Sequence, residues 1–294
     1  MLNGHSERVA KPRVVRIGGR EIIAEGLHLN FWADISHRCM TATWPSFIAG
    51  AALVFLAFNA IFACFYWIGD QPISNVPAGG YIDYFYFSIE TLSTAGYGDM
   101  HPQTHYGHFV AAIELFTGIF SMSLMTGLVF ARFSRPSARL LFAASPVISN
   151  HEGAPTLMIR FANERQNIIG NATARLWMFK NITTAEGQPF RRFYELPLLR
   201  NESPALALSW TLHHVVDEAS PLFGMSPEEL EATDVSLMVV VSGYDVVAAQ
   251  TVHARKPYQH SDLRFGHRYV DVLSISDDGR VRIDYGRFHD TLEG

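Results

Sequence analysis

Apolar and polar positions divide this chain into two stretches with different rhythms. From Trp44 to Ile68 it reads WPSFIAGAALVFLAFNAIFACFYWI, without one charged side chain. At 1.5 Å per residue the run predicts a helix of roughly 37 Å, enough for a tilted crossing of a ~30 Å hydrocarbon core. Trp44 at one end and Tyr66 and Trp67 at the other stand where interfacial aromatics belong. A second span is predicted over 107–133, apolar from Phe109 and interrupted by Glu114, with Arg132 and Arg135 as anchors. Between the spans, Tyr81 to Ser93 is aromatic-rich and too short to cross, and it runs straight into Thr94-Ala95-Gly96-Tyr97-Gly98-Asp99. This layout predicts a re-entrant helix and an extended loop. Irregular backbone survives at membrane depth only inside protein or along a polar pathway. Ahead of the first span, Leu27 to Thr43 mixes Leu29, Phe31, Trp32 and Ile35 with Asp34, His37 and Arg38. That pattern suits a slide helix lying in the interface, or a linker helix.

After Pro136 the period shortens. Apolar runs at 156–160, 174–179, 235–241, 269–275 and 281–285 are separated by turn signals at Glu152-Gly153, Glu186-Gly187, Ser242-Gly243 and Asp277-Asp278-Gly279. Short strands so punctuated predict an all-β sandwich. No glycine-rich fingerprint opens a βαβ unit, which argues against a dinucleotide-binding domain. The expected organisation is an N-terminal segment over 1–43, a membrane domain over 44–137 and a β-sandwich domain over 138–294. Within the membrane domain, the spans are 44–68 and 107–133, and the re-entrant element is 81–99.

Composition sharpens this division. The average looks soluble, at 48% hydrophobic and 17% charged, yet Trp44 to Ala131 holds no Lys or Arg. Basic residues precede the first span and follow the second, and the loop between has only acidic charges, so both termini are expected in the cytoplasm of a multi-pass inner-membrane protein. The net charge of −5 argues against a nucleic-acid partner. Cys39 and Cys64 form no disulfide framework, and the basic N-terminus leads into no early apolar core of a signal peptide.

The chemistry lies at residues 94–98. For successive carbonyl oxygens to face one axis and replace an ion's hydration shell, backbone angles must alternate between left- and right-handed regions. Gly96 and Gly98 enter positive φ without a Cβ clash. Thr94 can add its hydroxyl at the inner end, and Tyr97 can brace the loop against the pore helix. The run matches the filter of potassium channels, with K+ held at Thr94, Ala95, Gly96 and Tyr97. Four copies close the ring and the chain carries one, so a homotetramer is expected. Glu90 and Asp99 flank the filter. Two carboxyls there do not both ionise cheaply, so they are expected to share a proton and support the loop; alternatively Asp99 faces external water.

With Ser88-Ile89-Glu90-Thr91 before the filter and Phe130-Ala131-Arg132-Phe133-Ser134-Arg135-Pro136 after the second span, the chain resembles the bacterial inward-rectifier potassium channels, the KirBac group. His214 to Leu222 and Ala254-Arg255 are similar to segments of that family's immunoglobulin-like cytoplasmic domain. The resemblance implies a potassium-selective channel, not an enzyme, with K+ in the filter and no organic cofactor. It also implies a vestibule of four cytoplasmic domains and gating by anionic, phosphoinositide-like lipids, inhibitory in bacterial members. By position, Gly118 and Gly127 would be hinges of the second helix, Met122 and Thr126 would line the cavity, and Phe130 would form the gate. Their i, i+4, i+8 spacing places 122, 126 and 130 near one helical face. Arg38, Arg132, Arg135 and Arg139 are candidate lipid contacts, or topological anchors.

Three positions depart from the family. Ala95 replaces a Val or Ile, which loosens packing behind the filter. Met122 stands where strongly rectifying animal channels carry an acid, so polyamine block should be weak. Met100 stands where animal members place an Arg that pairs with the pore-helix Glu. Glu114, ionisable within a span, is expected beside the pore helix in a structural role. His213, His214, Asp217 and Glu218 fit no metal spacing. His101, His105 and His108 surround the outer mouth. The rival readings are a non-conducting membrane sensor and a membrane-tethered enzyme.

Overall fold

A computed structural model describes residues 13–17, 20–24, 35–76, 80–135, 138–165, 167–275 and 279–294. The first part of the expected slide helix, with Leu29, Phe31, Trp32 and Asp34, lies outside the described residues, as do Pro136 and Asp277-Asp278. The chain divides into two compact units: His28–Arg135, and Met1–Leu27 together with Pro136–Gly294.

The first unit is helical. Helix α1 covers Ile35–Thr41, α2 Trp44–Ile68, α3 Tyr81–Leu92 and α4 His105–Phe133. Each long helix starts on a polar cap. The Thr43 hydroxyl accepts from the Ser46 amide, with Pro45 in the first turn, and Thr104 accepts from the Gly107 amide at 3.0 Å. These caps satisfy amides that a helix cannot pair itself. Helix α2 and helix α4 are long and apolar enough to cross a membrane, and little of either is covered by the chain itself. Leu53, Phe116, Phe120 and Phe133 are among many exposed apolar side chains. The core of a soluble protein would cover such helices; a lipid surrounding suits them instead. The short helix α3 packs between them around Phe62, Tyr66, Phe87 and Val110.

The second unit opens with an antiparallel hairpin, Arg13–Ile17 with Arg20–Ala24. It continues as two five-stranded sheets. One is built on Ile169–Thr183, flanked by Ser236–Asp245, Pro189–Leu196 and Glu202–Leu206, with Gln250–Gln259 outermost. The other is built on Ala154–Asn163, flanked by Ser209–Val215, Val147–His151 and Leu140–Phe142, with Arg264–Phe265 at an edge. Alternate residues face inward and form one core: Leu157, Ile159 and Phe161 from the second sheet, Ala174, Leu176, Met178, Leu237 and Val239 from the first. Two sheets that share one core make a β-sandwich; Ala154–Asn163 is buried on both faces from Thr156 onward.

The predicted strands at 156–160 and 174–179 fall within observed strands, and that at 235–241 coincides with one that starts a residue later, at Ser236. Two expectations need correction. Ser242-Gly243 is no turn: both lie inside a central strand, at a register shift against Ile169–Thr183. A Cβ at Gly243 would stand 3.1 Å from the Ala172 Cα, so glycine is there for close approach. The run 269–275 is not one strand, since pairing stops after Tyr269 and resumes at Leu273. Outside the sandwich, the closing segment is held by Arg160. Its guanidinium lies between the Tyr269 and Phe288 rings and donates to the carbonyls of Val270 (2.6 Å) and Phe288.

Candidate functional site

Helix α3 ends in a tight handover to the loop. The Ser93 and Thr94 amides donate to Ile89 and Thr91 carbonyls. The Ala95 and Gly96 amides both donate to the Glu90 carbonyl, at 2.9 and 3.3 Å. A trans peptide is planar, so each N–H aimed at the helix turns the preceding C=O the other way. The carbonyls of Thr94 and Ala95 therefore point away from α3. Gly96 has φ of 55° and Gly98 of 88°. Thr94 also takes a positive φ, 59°, which the sequence did not suggest. A β-branched residue rarely adopts that angle, and strained backbone of this kind persists where surroundings over-determine it. Left-handed angles thus fall at 94, 96 and 98, alternating with 95 and 97.

Residues Thr94 to Asp99 are exposed in the single chain, and Tyr97 is 79% exposed. Tyr97 therefore does not brace the loop against its own α3. No hydrogen bond joins the Glu90 and Asp99 carboxyls among the described residues; Asp99 instead offers its backbone carbonyl to the Asn75 amide at 2.8 Å. The carboxyl that supports α3 from behind is Glu114. It is fully buried, accepts from the Tyr66 hydroxyl at 2.6 Å and is hydrogen-bonded to Ser88. Ser88 also lies 3.1 Å from Asn59 Oδ1. Composition alone marked Glu114 as unusual, but its partners come from 26 and 48 positions away and no local signal names them.

On α4, Met122, Thr126 and Phe130 are exposed along one face. The Thr126 hydroxyl donates to the Met122 carbonyl at 2.9 Å and keeps its lone pairs free to accept. Gly118 meets the backbone of α3 at Leu92, whereas nothing lies within 4 Å of where a Gly127 Cβ would be.

Near the other end of α4, Arg132 is tied into its own unit. Its guanidinium lies over the rings of Trp44 and Phe47 at 4.7 and 4.6 Å and donates to the carbonyls of Cys39 and Ala42. Arg135 donates to Met40 at 3.2 Å. Two arginines thus satisfy carbonyls at the end of α1 that no further helical turn would pair, and cations suit that end of a helix dipole.

The histidine cluster of the β-sandwich is structural. His214 is buried, with Nδ1 2.8 Å from the Pro197 carbonyl and Nε2 2.8 Å from Ser220 Oγ. His213 stacks on His151 with ring centroids 4.8 Å apart. Burial pushes both His213 and His214 below the ordinary imidazole value.

Comparison with known proteins follows this division. Residues 140–293 match the model of the inward rectifier potassium channel C-terminal domain, and residues 50–135 match the ion channel model. The chain is 36% identical over 295 residues to inward rectifier potassium channel Kirbac3.1 of Paramagnetospirillum magnetotacticum, all of both chains being covered. It is 29% identical over 321 residues to inward rectifier potassium channel 18 of Homo sapiens, covering 98% of this chain and 72% of the relative. ATP-sensitive inward rectifier potassium channel 12 of Mus musculus is likewise 29% identical, with 98% and 74% covered.

Proposed function

Because this chain belongs to the inward rectifier potassium channel family, we propose that it conducts K+ through a homotetrameric filter made by Thr94, Ala95, Gly96, Tyr97 and Gly98. The family is one of ion channels, not enzymes. The observation that carries the reading is the pair of amides from Ala95 and Gly96 bound to the Glu90 carbonyl. That pair commits the carbonyls of Thr94 and Ala95 to the opposite side, where three other copies would supply the rest of an ion's shell. A glycine-punctuated loop exposed at membrane depth needs those copies in any case. Tyr97, open in one chain, would pack on a neighbour.

In this reading both termini are cytoplasmic, in the inner membrane. Four Phe130 rings would form a gate that stops ions by dewetting, below a cavity lined by Met122 and Thr126. Gly118 and Gly127 would be the points where α4 flexes. Lipid phosphate would act through Arg38, Arg132, Arg135 and Arg139. Arg132 and Arg135 already hold the α1 carbonyls of Cys39 and Met40, so an anionic headgroup would compete with α1 for the same guanidinium groups. Lipid binding would thereby alter how α1 is tied to the gate helix.

Rubidium uptake into liposomes holding the purified protein tests this reading. Uptake should stop with barium and fall with added phosphoinositide. Equal permeation by sodium would overturn the selectivity claim, and indifference to phosphoinositide would overturn the lipid claim.

A further inference from the structure

Behind α3 lies a closed polar cluster: Asn59 and Tyr66 of α2, Ser88 of α3 and Glu114 of α4, all buried. Its hydrogens can be counted. The Asn59 amide nitrogen donates to the Phe55 carbonyl at 2.7 Å, which turns its Oδ1 toward Ser88. The Tyr66 hydroxyl spends its one hydrogen on Glu114 Oε2. Ser88 Oγ then stands between two oxygens, Glu114 Oε1 and Asn59 Oδ1. Two gaps need two hydrogens, and a serine hydroxyl brings one. With an ionised carboxylate, one gap would hold facing lone pairs in a site sealed from water, which is costly. With a hydrogen on Glu114 Oε1, the carboxyl donates to Ser88, Ser88 donates to Asn59, and every partner is satisfied.

We infer that Glu114 serves the folded channel as a neutral carboxylic acid, a positioning residue that ties α3 to both spans through Ser88 and Tyr66. The inference rests on reading 94–98 as the filter. Ser88 lies two positions before Glu90, whose carbonyl carries the Ala95 and Gly96 amides. A shift of α3 therefore reaches the filter carbonyls directly. Neutrality also spares the pathway four off-axis negative charges that would compete for cations.

Glu114→Gln keeps a donor toward Ser88 and an acceptor toward Tyr66, whereas Glu114→Leu removes both. In rubidium and sodium flux from liposomes, Glu114→Gln should retain the wild-type preference for rubidium. Tetrameric Glu114→Leu should lose roughly tenfold or more of that preference, the scale set by losing a buried hydrogen bond. An infrared difference spectrum between wild type and Glu114→Gln should show the carbonyl band of a carboxylic acid. If Gln behaves like Leu, or the band is a carboxylate's, neutrality is refuted. If tetrameric Leu keeps full selectivity, the positioning role is refuted. Should the Leu variant not assemble, Ser88→Ala decides, because it deletes the bridge with little change of volume; wild-type selectivity there refutes the role. Wild-type liposomes that fail to discriminate the two ions would instead refute the filter reading, while the infrared band still reports the proton.

Discussion

Gly118 of α4 packs against the main chain of Leu92 in α3: a Cβ at 118 would overlap the Leu92 carbonyl oxygen and stand 3.1 Å from its carbonyl carbon. No neighbouring side chain can yield to make room, since the obstacle is backbone. Gly118→Ala should therefore push the last turn of α3 and cost about 1–3 kcal/mol per subunit by overpacking. Gly127→Ala meets nothing within 4 Å in the chain and should gain up to about 1 kcal/mol of helix propensity. Thermal unfolding of the two tetramers in detergent compares them. Equal melting points would show that the close approach at Leu92 is absent.

Gly96 has φ of 55°, where a Cβ costs about 1–2 kcal/mol per residue. Gly96→Ala is expected to abolish rubidium uptake while leaving the β-sandwich intact by circular dichroism. Ala95 is absent from the positive angles, so Ala95→Val should conduct at least as well as wild type. Full uptake by Gly96→Ala would contradict the left-handed angle.

Arg160 holds the closing segment outside the β-sandwich with both a ring sandwich and two carbonyl bonds. Arg160→Met leaves the Val270 and Phe288 carbonyls without that donor and should cost about 2–4 kcal/mol. Limited proteolysis of the full-length protein should then cut beyond Tyr269 well before the sheets are attacked. A digestion pattern matching wild type would mean that apolar packing around Phe288 suffices alone.

His214 should make the protein less stable in acid. Burial lowers its folded value, opposed in part by the Pro197 carbonyl and by Asp217. On acidification the unfolded chain takes up the proton first, near pH ~6.5, and the native ring follows only at lower pH. The stability contributed by the neutral ring is whole above that unfolded value and declines as pH falls through it. His213, lowered by burial and by His151, acts in the same direction. Melting temperature recorded between about pH 8 and pH 5 should fall, with a shallower slope in His214→Gln. An unchanged slope in the variant would remove His214 from the account.

Much of this molecule can be read before folding it, for physical reasons that differ by region. The spans are legible because a bilayer tolerates few charged side chains, so Trp44–Ile68 declares itself by what it lacks. Gly96 and Gly98 are legible because a Cβ makes their angles costly. Thr94 shares the same backbone region, but its residue type gives no such signal. Ser242-Gly243 misleads because a bulge, a close approach and a turn all select glycine, and only its neighbours in the folded sheet, Ile169, Gly170 and Ala172, separate them. Arg132 could be read as a basic anchor; that it serves carbonyls 93 and 90 positions earlier depends on tertiary folding. Tyr97 can be read as a brace against a pore helix, but the sequence does not say of which copy, and the single chain leaves the ring open.

The Glu90 carbonyl is a single keystone under two rungs of the ladder. Were that one peptide to rotate, both rungs would come loose in the same event, with no arrangement in which one stays seated and the other departs. In the proposed filter the two carbonyls of a subunit would accordingly let go together, and single-channel records should show at most one closing step per subunit.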